Sequence, residues 1–243
     1  MLKTLSYNYT GWSAECNLAV LLDNRLAISL DRTIKIFDAI NGQELKTLRG
    51  HTSSIWSLAA LPDNTLASGY SDEQAIKIWD IVDGKQLKTL SGHSWVTSLV
   101  VLPNNRLASG SQDTNIKIWD IIDGKQLKTL IGHTHFVTSL AILPNNKLAS
   151  GSQDKTIKIW ETVNGKELKT LYGHISYVIS LAVLPDNRLA SGCYYGSIKI
   201  WDTVNGNELK TLEGHTGMVK ALAVLPDYTL ASSSNDKTIK IWE

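Results

Sequence analysis

Cysteine is scarce in this sequence: Cys16 and Cys193 are the two in 243 residues, and they lie far apart with no metal-like spacing. That argues against a disulfide framework and for a reducing compartment. No apolar run approaches the roughly 18 residues that a membrane-spanning helix needs. The opening stretch MLKTLSYNYTGW lacks the apolar core of a secretory leader. An excess of one charge is missing as well. The 24 Lys+Arg against 23 Asp+Glu leave a formal +1, too little for bulk attraction to nucleic acid or anionic lipid. Helical periodicity is also lacking, because apolar residues alternate with period two and turn formers interrupt every eight to ten positions. These absences lead us to expect a soluble cytoplasmic protein with neither a membrane nor a nucleic-acid partner.

What the sequence has is repetition. Pro62, Pro103, Pro144, Pro185 and Pro226 follow one another at intervals of 41 residues. A Gly-His pair recurs at Gly50-His51, Gly92-His93, Gly132-His133, Gly173-His174 and Gly214-His215. Tryptophan followed by an acid recurs at Trp79-Asp80, Trp119-Asp120, Trp160-Glu161, Trp201-Asp202 and Trp242-Glu243. A sixth, worn copy opens the chain, with Gly11-Trp12 in the Gly-His place and Phe37-Asp38 in the Trp-Asp place.

Each copy divides into four short strands. In the copy from Gly132, VTSLAIL runs to a turn at Pro144-Asn145-Asn146, then KLASGS to a turn at Gln153-Asp154-Lys155, then TIKIW, then ELKTL. Asn164-Gly165 separates the last two strands, and Asn41-Gly42, Asp83-Gly84, Asp123-Gly124 and Asn205-Gly206 stand at the same place elsewhere. The pairs predict two-residue hairpin turns with positive φ at both central residues.

Four strands per period with Gly-His and Trp-Asp markers resembles the WD-repeat β-propeller family, and the likeness covers essentially the whole chain. It implies an all-β fold: a single domain over residues 1–243, a six-bladed propeller of four-stranded antiparallel blades. Leu2-Lys3-Thr4-Leu5 copies a fourth strand, while the last copy stops after its third at Trp242-Glu243. In the family the N-terminal strand completes the last blade and closes the ring, which also removes a sheet edge. Most members have seven blades. Six here predicts a closed monomer, with an oligomer or an excised fragment as the alternatives.

The resemblance also implies a buried hydrogen-bond chain of histidine, serine, aspartate and tryptophan in each regular blade. The matching sets are His51, Ser68, Asp72, Trp79; His93, Ser109, Asp113, Trp119; His133, Ser150, Asp154, Trp160; and His215, Ser232, Asp236, Trp242. Serine, histidine and aspartate together invite a hydrolase reading. Fourfold recurrence speaks against it, since an active site is singular and a serine engaged by indole is not poised as a nucleophile. No catalytic residue, metal ligand or cofactor site is therefore expected. Two copies depart from the pattern. The first has Trp12, Ile28 and Phe37 at the histidine, serine and tryptophan places, and the fifth has Tyr195 where aspartate belongs.

In the family, partners meet loops at one face of the propeller. Residues that resemble its contact positions precede the first strand at Ser54, Trp95, Phe136, Tyr177 and Met218, and lie just inside it at Trp56, Thr97, Thr138, Ile179 and Lys220. Tyr194 and Tyr195 add a pair from the turn of the fifth copy. Large apolar residues beside loops, where solvation favours small polar ones, point to a protein- or peptide-binding surface. The expected site is Trp56, Trp95, Phe136, Tyr177, Tyr194, Tyr195, Met218 and Lys220. The lysines repeated in the IKI and LKTL strands occur all round and read as a solvated rim, not a nucleic-acid stripe. The leading expectation is a non-enzymatic interaction scaffold. A small-ligand or sugar-binding propeller and an enzyme using the central channel are the alternatives.

Overall fold

In the computed structural model, which describes residues 17–71 and 75–243, the alternating segments form 23 strands of three to seven residues. There is no helix among the described residues. The strands make six antiparallel sheets, the blades of a β-propeller: blade one spans 18–49, blade two 55–91, blade three 96–130, blade four 137–171, blade five 178–212 and blade six 219–242. Five blades have four strands in sequence order and blade six has three. The expected closing strand, Leu2 to Leu5, lies outside the described residues, as does Trp12.

The Asn-Gly and Asp-Gly turns differ from the hairpin prediction. Only the glycine has positive φ, as at Gly84 (77°) and Gly165 (81°). The loop is wider: the Gly84 N–H reaches the Asp80 carbonyl at 2.9 Å, and the Asp80 N–H reaches the Lys85 carbonyl at 2.9 Å. In four blades the acid that follows the third-strand aromatic caps this turn, as Asp80 does, whereas Glu161 of blade four holds only the Asn164 side-chain amide in a turn of the same form. The Asp80 carboxylate accepts from the Val82 N–H (2.7 Å) and the Asp83 N–H (3.0 Å), folding the intervening residues into a capped turn. Asp38, Asp120 and Asp202 do the same. Paired positive φ occurs instead between the first and second strands of a blade, at Asn145-Asn146 (60°, 57°) and Asp186-Asn187 (59°, 60°), where aspartate and asparagine tolerate it.

Two compact units divide the chain: Met1–Leu107 with Trp119–Gln126, and Ala108–Ile118 with Leu127–Glu243. In the first, apolar side chains of adjacent blades form the core between their sheets. Ala27, Ile34, Ile36 and Leu48 of blade one pack with Ile55, Leu66 and Trp79 of blade two. In the second unit, Ala149, Ile157 and Ile159 of blade four pack with Val178, Leu189 and Trp201 of blade five, which in turn packs on blade six through Val219 and Leu230. The approach is close. A Cβ on Gly151 would lie 2.6 Å from Val178 Cγ1, so the second strand of blade four admits only glycine there.

Candidate partner-binding face

The histidine chains are built as the resemblance implies. On blade four, Trp160 Nε1 donates to Ser150 Oγ at 2.8 Å, Ser150 Oγ meets His133 Nε2 at 2.7 Å, and His133 Nδ1 meets Asp154 Oδ2 at 2.7 Å. Asp154 also accepts from the Thr134 N–H (3.1 Å), the Thr156 N–H (2.9 Å) and the Thr156 hydroxyl (2.6 Å). Burial alone would raise its pKa, but hydrogen bonds from His133 and Thr156 hold the carboxyl well below the usual carboxylate range. Blade six repeats this set with Trp242, Ser232, His215 and Asp236. On blade two, Trp79 Nε1 and His51 Nε2 both meet Ser68 Oγ at 2.8 Å; Asp72 lies outside the described residues. On blade three, His93 is buried edge-on to Trp119, with ring centroids 6.0 Å apart. Every serine in these chains is buried, and those of blades two, four and six accept an indole proton. They join strands within a sheet and present no nucleophile.

Blade one replaces the chain by packing: Ile28, in the register of the serine, and Phe37 are both buried. Blade five keeps Trp201, Ser191 and His174, with Trp201 Nε1 donating to Ser191 Oγ at 2.7 Å and His174 Nε2 at 2.6 Å from it. The Tyr195 ring, in the aspartate's place, points out and is 66% exposed. His174 Nδ1 is buried without a hydrogen-bond partner among the described residues. Desolvation, helped by the nearby Lys199 charge, pushes the His174 pKa down to about 4, and Glu208 opposes this more weakly.

The expected contact residues fall into separate groups. In the first unit, Trp56 and Trp95 from adjacent blades face each other with centroids 6.2 Å apart; Trp56 is half-buried and Trp95 exposed. In the second unit, Tyr177 packs edge-on to Tyr194 (6.0 Å), which packs on Tyr195 (5.6 Å). The Tyr194 N–H donates to the Tyr177 carbonyl at 2.9 Å and so ties the two loops of blade five together. Phe136 is half-buried against His135. Met218 and Lys220 flank buried Val219 on blade six, the first half-buried and the second exposed. Thr138, of the inner set, is half-buried, and its hydroxyl donates to the Val178 carbonyl of the next blade at 2.6 Å.

Sequence reasoning passed over Tyr172 and Ile175, which bracket Gly173-His174 and are each 74% exposed. With Tyr177 (40%), Tyr194 (47%) and Tyr195 they concentrate five exposed large apolar side chains on the loops of blade five. Both positions carried the needed signal. Arg49, Ser91, Ile131 and Glu213 stand where Tyr172 does, so the position varies while the strand leading to it repeats. Ile175 replaces a serine or threonine present in the other four Gly-His copies.

The lysines are not a uniformly solvated rim. Lys77 and Lys158 are buried, and Lys158 Nζ lies 3.0 Å from both Glu167 carboxylate oxygens and 2.8 Å from the Thr170 hydroxyl. In the first unit the outer-strand lysines span seams between blades: Lys46 Nζ donates to the Val82 carbonyl and Lys88 Nζ to the Ile121 carbonyl of the next blade. The amphipathic stem packs along the seam while the ammonium caps a loop carbonyl. Among the described residues, no group of three or more His, Cys, Asp or Glu is placed to hold a metal ion.

A family model described as WD domain, G-beta repeat, matches residues 42–80, 84–120, 124–161, 165–202 and 206–243. The first three strands of the worn first copy fall outside these matches, although they form a complete blade with the fourth, Glu44–Arg49. Comparison with curated proteins returned no match.

Proposed function

The chain belongs to the WD-repeat family, whose propellers are generally interaction scaffolds, and on that premise we propose a cytoplasmic, monomeric, non-enzymatic scaffold for a protein or peptide partner. The partner is neither nucleic acid nor membrane. Its contact residues are Trp56 and Trp95 in the first unit, and Phe136, Tyr177, Tyr194, Tyr195, Met218 and Lys220 in the second, with Tyr172 and Ile175 added there.

One observation carries this reading. Blade five exposes Tyr172, Ile175, Tyr177, Tyr194 and Tyr195 on adjoining loops, whereas blade four has Ile131, Thr134, Phe136, Gln153 and Asp154 at the same places. Contiguous exposed aromatics cost solvation free energy unless a partner covers them, and tyrosine and tryptophan supply most interface hot spots. The buried serines of the histidine chains favour the scaffold over a hydrolase.

The test is affinity capture from source-cell lysate, followed by dissociation constants for the purified partner. Tyr177→Ala and Trp95→Ala are each expected to weaken binding about thirtyfold, the equivalent of about 2 kcal/mol at a hot spot. Folded variants of both that bind at wild-type affinity would overturn the assignment.

A further inference from the structure

Blades four and six show what a carboxylate does at the end of the histidine chain. Asp154 Oδ2 accepts from His133 Nδ1 and from the Thr134 N–H, and Asp236 Oδ2 accepts from His215 Nδ1 and the Thr216 N–H. Two N–H groups thus converge on one oxygen. Blade five carries the same backbone frame. The Gly196 N–H reaches the Cys193 carbonyl and the Cys193 N–H the Ser197 carbonyl, as Lys155 reaches Ser152 and Ser152 reaches Thr156 on blade four. His174 and Ile175 are the counterparts of His133 and Thr134. What differs is the side chain at 195, whose ring points to solvent while His174 Nδ1 stays buried without a partner among the described residues.

We infer that His174 is the receptor for an acidic side chain of a bound peptide, which supplies in trans the carboxylate that Asp154 and Asp236 supply on their own blades. The inference rests on the reading of blade five as part of a partner-binding face. An aspartate or glutamate entering beneath the Tyr195 ring accepts from His174 Nδ1 and the Ile175 N–H, while Tyr172, Ile175, Tyr177 and Tyr194 cover the apolar residues beside it. Lys199 and Glu208, the charged groups that act on His174, pair with each other at 2.7 Å, so no uncompensated negative charge repels the incoming acid.

The acid also selects a tautomer. A carboxylate only accepts, so on blade four the proton sits on His133 Nδ1. The Ser191 hydroxyl has a second acceptor in the Lys199 carbonyl at 3.4 Å, which leaves either nitrogen of His174 free to carry the proton until a carboxylate selects Nδ1.

A random linear peptide library displayed on phage, selected on the wild-type protein, tests this. Enriched peptides are expected to share an aspartate or glutamate at one position beside apolar residues. Replacing that acid by Asn or Gln is expected to weaken binding about tenfold or more, the usual worth of a charge-assisted hydrogen bond. Tyr195→Asp, which fills the position in cis, should lose the same factor, whereas Tyr195→Ala should keep the preference for an acid. Imidazole ¹⁵N shifts should report His174 as the Nδ1–H tautomer in the acidic-peptide complex and not with the amide-substituted peptide. Peptides that respond to Tyr177→Ala but lack a shared acid, tolerate the amide swap or bind Tyr195→Asp unchanged would overturn the acid receptor and leave the scaffold intact. No enriched peptide that responds to Tyr177→Ala would sink both.

Discussion

Replacing Tyr195 by aspartate should change how stability depends on pH. In the wild type His174 is buried with Nδ1 unpartnered, and its pKa falls from 6.5 to about 4. Between those values the unfolded chain binds the extra proton and the folded chain does not, so stability declines as pH falls. Going from about pH 7 to about pH 5 removes about 2 kcal/mol through this one group, and continuing to about pH 4 removes about 3 kcal/mol. Tyr195→Asp supplies the acceptor that Asp154 gives His133 at 2.7 Å. It should add about 1–3 kcal/mol at neutral pH by giving the buried, unpartnered Nδ1 a hydrogen-bond partner. It should also raise the His174 pKa, so the advantage over wild type widens by about 2 kcal/mol by about pH 5, above the range where carboxylates titrate. Urea melts of both proteins at the two pH values measure the widening. A difference that stays constant or shrinks on acidification would refute the account of blade five.

Three further outcomes follow from the geometry. Asp154→Ala leaves His133 Nδ1 buried with its acceptor removed and should cost about 1–3 kcal/mol in a urea melt, with no loss if the chain were not structural. Gly151→Ala places a methyl 2.6 Å from Val178 Cγ1 and 2.7 Å from Ser139 Oγ, and should lower stability by about 1–3 kcal/mol in calorimetry; an unchanged melting temperature would mean that blades four and five pack less closely than described. Lys128→Ala, at the outer strand where Lys128 Cδ lies against Gly165, should leave partner affinity untouched in titration calorimetry. Reduced affinity there, with Trp95→Ala and Tyr177→Ala normal, would move the contact surface to the side of the propeller.

The sequence by itself determined what is repeated. Period-two strands between turn formers, with Gly-His and Trp-Asp at fixed places, specify six sheets and even the worn first one, because backbone hydrogen bonding and side-chain alternation are local and recur with every copy. The histidine chains came from the family resemblance that this recurrence carries, which implied Ser150, His133 and Asp154 as one of four matching sets. Tertiary structure decided what depends on neighbours. The Asn-Gly and Asp-Gly turns took a wider form with only glycine at positive φ, and in four blades a carboxylate two and three residues back caps their N–H groups. Thr138 ties its strand to the next blade, and Lys46 and Lys88 turned from rim charges into seam ties, because the adjacent blade put a carbonyl within reach. Tyr172 and Ile175 became part of the candidate face only when their exposure could be seen. The Tyr195 substitution was plain in the sequence, but its consequence was not: that the ring turns outward and leaves His174 buried and unpartnered is a fact of packing, which no spacing of residues along the chain encodes.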